Sequence, residues 1–206
     1  AVEAEAAEAE AAVAEEAVSI QGVMAPPTAV RLACRVELPA EHAHGIAHDI
    51  AVTESFCVLL DTSITVELDD VLSGTFGSFD HNRPARIGLA PIGSSAADDV
   101  LWFTLERPLG IVHPLAAWDD EDGTTVLWTP VCTEFDGSPT PENEAHMVEI
   151  TLDRLSGEAH VRSPDGAAGL NTEFGRMHPD YVGRRARYGF TGIMDGGDAK
   201  FGGIAK

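Results

Sequence analysis

From about Pro26 onward the chain is a series of short β-type runs, interrupted by Gly, Pro, Asp and Asn roughly every ten residues. This restricts it to an all-β fold, because no segment carries the longer 3.6-residue periodicity that a packed helix needs. Three pairs of runs read as hairpins. AHDIAVT pairs with FCVLLD across Glu54-Ser55, GIVHPLAAW with TTVLWTPVC across DDEDG, and MVEITLD with EAHVRS across RLSG. The apolar runs IAVTESFCVLL and TTVLWTPV point to inner or middle strands packed between neighbouring sheets. Hairpins recurring at a spacing of roughly forty to fifty residues suit propeller blades, and a sandwich would look similar.

Residues 1–18 contain only Ala, Glu and Val, which favour helix but offer no apolar face wide enough to dock. Residues 1–25 are therefore expected to be an acidic, low-complexity tail, and residues 26–206 the folded part. Thirty-four acidic residues against thirteen basic ones give a net charge of -21, which repels nucleic acid and anionic lipid alike. No nucleic-acid partner is expected. The only lysines, Lys200 and Lys206, fit either adaptation to high salt or a coding bias toward Arg.

Cys34, Cys57 and Cys132 are odd in number and widely spaced, as small apolar residues in a reducing compartment would be. No apolar run of about eighteen residues and no signal peptide is visible, so a soluble, non-secreted protein is expected. The chain begins at Ala1 without Met, as a piece of a longer protein would.

Two of the eight histidines, His44 and His48, are four residues apart in AHGIAHDIAVTE. On a helix they would share a face, but Gly45 and the β-branched residues after Asp49 favour a strand. In a strand rising about 3.3 Å per residue they would stand about 13 Å apart, so at most one ligates a given ion. The second candidate is His113, in the middle of the apolar run GIVHPLAAW, where an imidazole needs a partner. His42, His81, His146, His160 and His178 lie in polar or turn-like surroundings and are expected to be exposed. Ser/His/Asp patterns, phosphate-cradling loops and HExxH helices are missing; GGDAKFGG has no strand-then-helix context.

Four segments resemble, in order, those of the carotenoid oxygenase family. IAHDIAVTESFCVLLD is similar to the HDFAITE block, and FDHNRPARIGLAPIG to the R-x-G-x-x-P block. VLWFTLERPLGIVHPLAAWDDEDG resembles the segment carrying H-x-x-N-A-W-E, and NTEFGRMHPDYVGRRARYGF the E-x-P-x-x-N-x-x-x-x-G-R-x-x-R-Y-x-Y segment. The resemblance implies a seven-bladed β-propeller, of which this chain would supply about three to four blades.

It further implies one Fe(II) on the axis, held by four histidines and touched by no carboxylate. His48 and His113 would be two of those ligands, and Glu173 the acceptor that orients a bound imidazole. The implied reaction is cleavage by dioxygen of a conjugated double bond in a carotenoid, apocarotenoid or related apolar polyene, giving carbonyl products. The family's first and last histidine ligands have no counterpart: only His42 and His44 precede His48, and no histidine follows Tyr188. Ala116, Asp119 and Gly175 stand where the family has Asn, Glu and Pro, and the first two changes are expected to weaken hydrogen bonding around the site.

Two functions are thus implied: a dioxygenase, or a truncated non-catalytic relative that binds an apolar ligand or a partner. The expected location is the cytoplasm or a plastid, and lipid-borne substrates make peripheral membrane contact compatible with it. For Arg184, Arg185 and Arg187, salt bridges are expected in preference to a lipid or phosphate contact.

Overall fold

The computed structural model describes residues 45–94, 97–136, 144–195 and 200–206. The expected acidic tail, Cys34, His42 and His44 lie outside these residues. The described residues form an all-β structure in three antiparallel sheets and one small ribbon.

The first sheet has the order β1-β2-β5-β6, from β1 (Ala51–Val52), β2 (Phe56–Asp61), β5 (Arg86–Pro91) and β6 (Leu101–Thr104). Between β2 and β5 the chain makes the ribbon of β3 (Ile64–Thr65) and β4 (Ser78–Phe79), with helix α1 (Leu68–Ser73) at its tip. The second sheet is a four-strand meander of β7 (Ala116–Asp119), β8 (Thr124–Val131), β9 (His146–Asp153) and β10 (Ala159–Arg162). The third contains β11 (Thr172–Arg176), β12 (Phe190–Asp195) and β13 (Lys200–Ala205).

All three expected hairpins form: β1 with β2, β7 with β8, and β9 with β10. Thr53 shapes the first turn, its hydroxyl accepting from the backbone N–H groups of Ser55 and Phe56 at 3.1 and 2.9 Å. The spacing of comparable units differs from the expectation. Their first strands begin at Ala51, Ala116 and Thr172, farther apart than forty to fifty residues. In the first unit the cause is the β3-α1-β4 insertion, and in the second the long strands β8 and β9.

The apolar run TTVLWTPV is indeed a middle strand, β8, buried along most of its length. The run IAVTESFCVLL divides between β2, also a middle strand, and β1, a two-residue edge strand that lies against β7 of the next sheet. The main core lies between the first two sheets. Val58, Ile87, Leu89 and Phe103 pack there with Leu127 and with Val148, Ile150 and Leu152, which alternate along β9 so that all three face one way. The opposite face of the second sheet carries Leu115, Trp118, Val126 and Trp128, with the two indoles 5.0 Å apart and edge to face. Burial on both faces explains the nearly continuous apolar run of β8.

His113 was expected within a strand, and it lies just outside one. In the β7-β8 register Ala116 faces Trp128, so continuing the ladder would set Pro114 opposite Pro130. Neither proline has an N–H to give, and the ladder stops at Leu115, whose N–H donates to the Trp128 carbonyl at 2.9 Å. His113 is thereby left in irregular chain ahead of β7. His48 likewise precedes β1 instead of lying within it.

The return of the chain to β8 is equally tight. Gly110 and Cys132 exchange backbone hydrogen bonds, and a Cβ at Gly110 would stand 2.5 Å from Cys132 Sγ and 2.9 Å from Ile64 Cδ1. Gly110→Ala is expected to destabilise the fold by about 1–3 kcal/mol, because both neighbours are buried and cannot withdraw. Urea denaturation measures this directly; an unchanged midpoint and slope would show that the segment relaxes freely.

Candidate metal centre

Three irregular or strained segments bring the expected site residues together. His48 precedes β1, His113 precedes β7, and Glu173 is the second residue of β11, so each comes from the edge strand of a different sheet or the segment leading into it. The rings of His48 and His113 lie 4.8 Å apart, centroid to centroid, at 87°. His113 Nδ1 is 3.0 Å from Glu173 Oε2, and both side chains are largely covered, at 18% exposure each. His48 is exposed.

Because a carboxylate only accepts, Nδ1 of His113 is the donor in this contact, and in the neutral tautomer that this selects the lone pair is on Nε2. Glu173 Oε2 also accepts from the Phe174 N–H at 3.1 Å. The backbone achieves this through an unusual conformation: Phe174 has φ 57°, the one positive φ at a non-glycine among the described residues. An aromatic residue in that region is costly and persists only where its surroundings enforce it. Here a register shift in the β11-β12 ladder between Glu173 and Arg176 creates the kink. The Phe174 ring is held at 4.6 Å from His113 and 5.6 Å from Phe201. The sequence reading did not single out Phe174; Gly175 beside it, inside a strand run, is the only local sign of a bulge.

Gly175 has a second role. A Cβ there would meet Leu115 Cβ at 2.7 Å and its Cα at 2.9 Å, and one at Gly189 would meet Leu115 Cδ2 at 2.7 Å. Two bare backbones thus pinch Leu115, and so fix the segment that carries His113. The glycine standing where the family has proline is a point of close approach.

The other departures lie elsewhere. Asp119 accepts from Thr125 Oγ1 at 2.8 Å and from Arg154 at 3.1 Å, bracing the β7-β8 turn instead of the histidines. Ala116 is buried against the tryptophan face of the second sheet. Cys132 is no candidate ligand: burial, and then the charge of Glu173, pushes its thiol up to about 12. His81, His160 and His178 are exposed as expected, whereas His146 opens β9 half-buried, with Nδ1 3.0 Å from the Leu170 carbonyl oxygen. Arg184 pairs with Glu54 at 2.8 Å and Arg185 with Asp120 at 3.7 Å, as expected, while Arg187 stacks on Tyr188.

Among the described residues no group of three or more His, Cys, Asp or Glu converges as a complete metal site. The pair His48 and His113, with Glu173 behind the latter, is what these segments contribute. No helix among them is long and apolar enough to cross a membrane.

A family model described as RPE65, retinal pigment epithelial membrane protein, matches residues 11–206. The zeaxanthin 7,8(7',8')-cleavage dioxygenase of Crocus sativus is 26% identical over 72% of this chain and 40% of its own length. The 9-cis-epoxycarotenoid dioxygenase NCED2 of Oryza sativa subsp. japonica is 29% identical over 72% of this chain and 26% of its own. The chain thus spans well under half the length of these curated relatives. Among solved structures, the lignostilbene dioxygenase of Pseudomonas brassicacearum superposes with a TM-score of 0.60 at 26% identity, over 73% of this chain and 33% of that one. The apocarotenoid oxygenase of Synechocystis shares the fold, with a TM-score of 0.62 at 20% identity, over 76% of this chain and 35% of that one.

Proposed function

Since this chain belongs to the RPE65 family of carotenoid oxygenases, we propose that it supplies half of an Fe(II) centre in a carotenoid- or apocarotenoid-cleaving dioxygenase. The observation that carries the reading is the edge-to-face pair of His48 and His113, with His113 anchored to Glu173. The three sheets correspond to successive blades of a β-propeller, their innermost strands β1, β7 and β11 lining its axis. The remaining ligands come from segments outside the described residues.

The donor set suits the metal. Two neutral imidazoles are borderline ligands that accept Fe(II), and the Glu173 carboxylate raises the basicity of the His113 ring while holding its tautomer. When bound, Fe(II) supplies the activation of dioxygen that cleavage of a conjugated double bond requires. The protein's own part is positional. Glu173 and the pinched Leu115 fix His113, and Phe174 and Phe201, both part-exposed, present an apolar surface beside it that suits a polyene.

Glu173→Gln tests the arrangement. The amide keeps the shape but loses the charge, and Fe(II) affinity is expected to fall about 10- to 100-fold with the fold intact. Competition with a calibrated chelator reads the affinity, and circular dichroism the fold; parent-like affinity would remove Glu173 from the site. Oxygen consumption with an apocarotenoid, in the iron-loaded protein, tests the reaction itself. A second reading is a non-catalytic binder of an apolar ligand. Iron binding without oxygen consumption would select it.

A further inference from the structure

The strained backbone beside the paired histidines has a cause in the sequence. Between the pairs Glu173–Gly192 and Arg176–Phe190, β11 advances three residues while β12 advances two, so β11 carries one extra residue. One common kind of bulge places a glycine in the left-handed region at such a point. Here the left-handed residue is Phe174, at φ 57°, and the glycine follows it at Gly175. Gly175 is required where it stands, because a Cβ there would meet Leu115 Cα at 2.9 Å. The close approach to Leu115 takes the glycine, and the left-handed turn falls to a phenylalanine.

That turn is linked to the direction of one N–H. The chain is pinned before it, where the Thr172 N–H donates to the Ala145 carbonyl at 2.7 Å, and after it, where Gly175 abuts Leu115. Between fixed ends, turning the Glu173–Phe174 peptide over changes ψ of Glu173 and φ of Phe174 in opposite senses, as the difference between type I and type II turns illustrates. A positive φ at Phe174 therefore accompanies the orientation in which its N–H donates to Glu173 Oε2, at 3.1 Å. The same oxygen accepts from His113 Nδ1 at 3.0 Å. The Phe174 ring is poorly placed to do this work, being 43% exposed and tilted 31° to the His113 ring.

We infer, building on the reading of His113 as a ligand, that Phe174 is a positioning residue for the metal centre and acts through its backbone. Its left-handed conformation aims an N–H at Glu173, and Glu173, so held, keeps His113 with Nδ1 as the donor. Phe174→Asn and Phe174→Val separate backbone from ring. Both lack the ring and are similar in size, but Asn enters the left-handed region readily, whereas a β-branched residue is an outlier there. Phe174→Gly is the unrestricted case.

In the iron-free chain, 15N NMR of the His113 ring, assigned by its loss in His113→Ala, reports which nitrogen carries the proton above the pH at which imidazoles titrate. Chelator competition reads Fe(II) affinity, and circular dichroism the fold. Phe174→Asn and Phe174→Gly are expected to keep the proton on Nδ1 and an affinity within about threefold of the parent, while Phe174→Val loses that preference and about tenfold in affinity. If Phe174→Val does not fold, Phe174→Ala takes its place, since its Cβ also disfavours the left-handed region. A valine or alanine variant with the parent tautomer and affinity would overturn the inference. Loss of both in the Asn and Gly variants would do the same, because that pattern belongs to the ring. A parent that binds no Fe(II) would remove the metal reading, and the tautomer comparison would still decide what Phe174 positions.

Discussion

Replacing His113 with alanine is expected to abolish specific Fe(II) binding. Of the two imidazoles brought together here, His113 is the one whose orientation is fixed, by Glu173 at 3.0 Å, by the Phe174 ring at 4.6 Å, and by the clamp on Leu115 two residues later. His48 is exposed and without a hydrogen bond among the described residues, so its ring contact with His113 is what the structure shows holding it. Removing His113 therefore takes away the preorganised imidazole of the pair, and leaves Glu173 with the Phe174 N–H among the described residues. The measurement is iron per chain after anaerobic Fe(II) loading and removal of excess metal, with Glu173→Gln as the intermediate case. Parent stoichiometry in His113→Ala would exclude the histidine as a ligand.

The largest expected loss of stability comes from a different place, the carboxylate of Asp61 at the end of β2. Its side chain is 2% exposed, and it is the shared partner of Arg83 and Arg86. Arg86 donates to Oδ2 from Nε at 3.0 Å and lies over the Trp102 ring at 4.6 Å. Both guanidinium groups are mostly covered, at 11% and 18% exposure. Asp61→Ala would strand two covered cations side by side, and a loss of about 3–5 kcal/mol is expected. Asp61→Asn keeps the shape and one acceptor, and should fall between alanine and the parent. Urea denaturation separates the three; equal stability of Asp61→Ala and parent would mean that water takes over the role of the carboxylate. The cluster also supports the site's approach, since a Cβ on Gly45 would stand 3.1 Å from both Arg83 and Asp61.

How much of this was legible in the sequence varies with the range of the interaction. Hairpins were readable because their determinants are local: Asp and Gly at 119–123, Ser and Gly at 156–157, and β-branched residues on both sides. The position of His113 was misread because GIVHPLAAW looks like one apolar strand. Pro114 was the available warning, but its effect depends on Pro130 standing opposite it, a matter of register that composition does not show. The insertion β3-α1-β4 was missed because the helix has only six residues and buries none of them, leaving no periodicity to detect.

At the site, the residues alone pointed to His113 and to one of His44 and His48, and the resemblance to family segments chose His48 and added Glu173; their proximity is a product of three separate sheets. Phe174 gave no signal, since no property of a phenylalanine announces a left-handed backbone. Asp61 looked like the end of an apolar run, and its pairing with arginines more than twenty residues later follows from the β2-β5 ladder, which aligns Asp61 with Arg86.

The parallel bridge between Thr53 and Gly183 has a kinetic consequence. It joins the turn after β1 to the segment between β11 and β12, and it needs the positive φ of Gly183, 79°. Contacts so distant along the chain form late, because closing a large loop costs entropy before any contact rewards it. His113 and Glu173, 60 residues apart, are subject to the same delay. During synthesis the segment bearing His48 emerges first, folds with its own sheet, and waits for a seam supplied by chain made much later. A translating ribosome would therefore release two completed sheets, with His48 and His113 already in place, before Glu173 arrives to anchor His113. The site is a late checkpoint of assembly, and cannot serve as its nucleus.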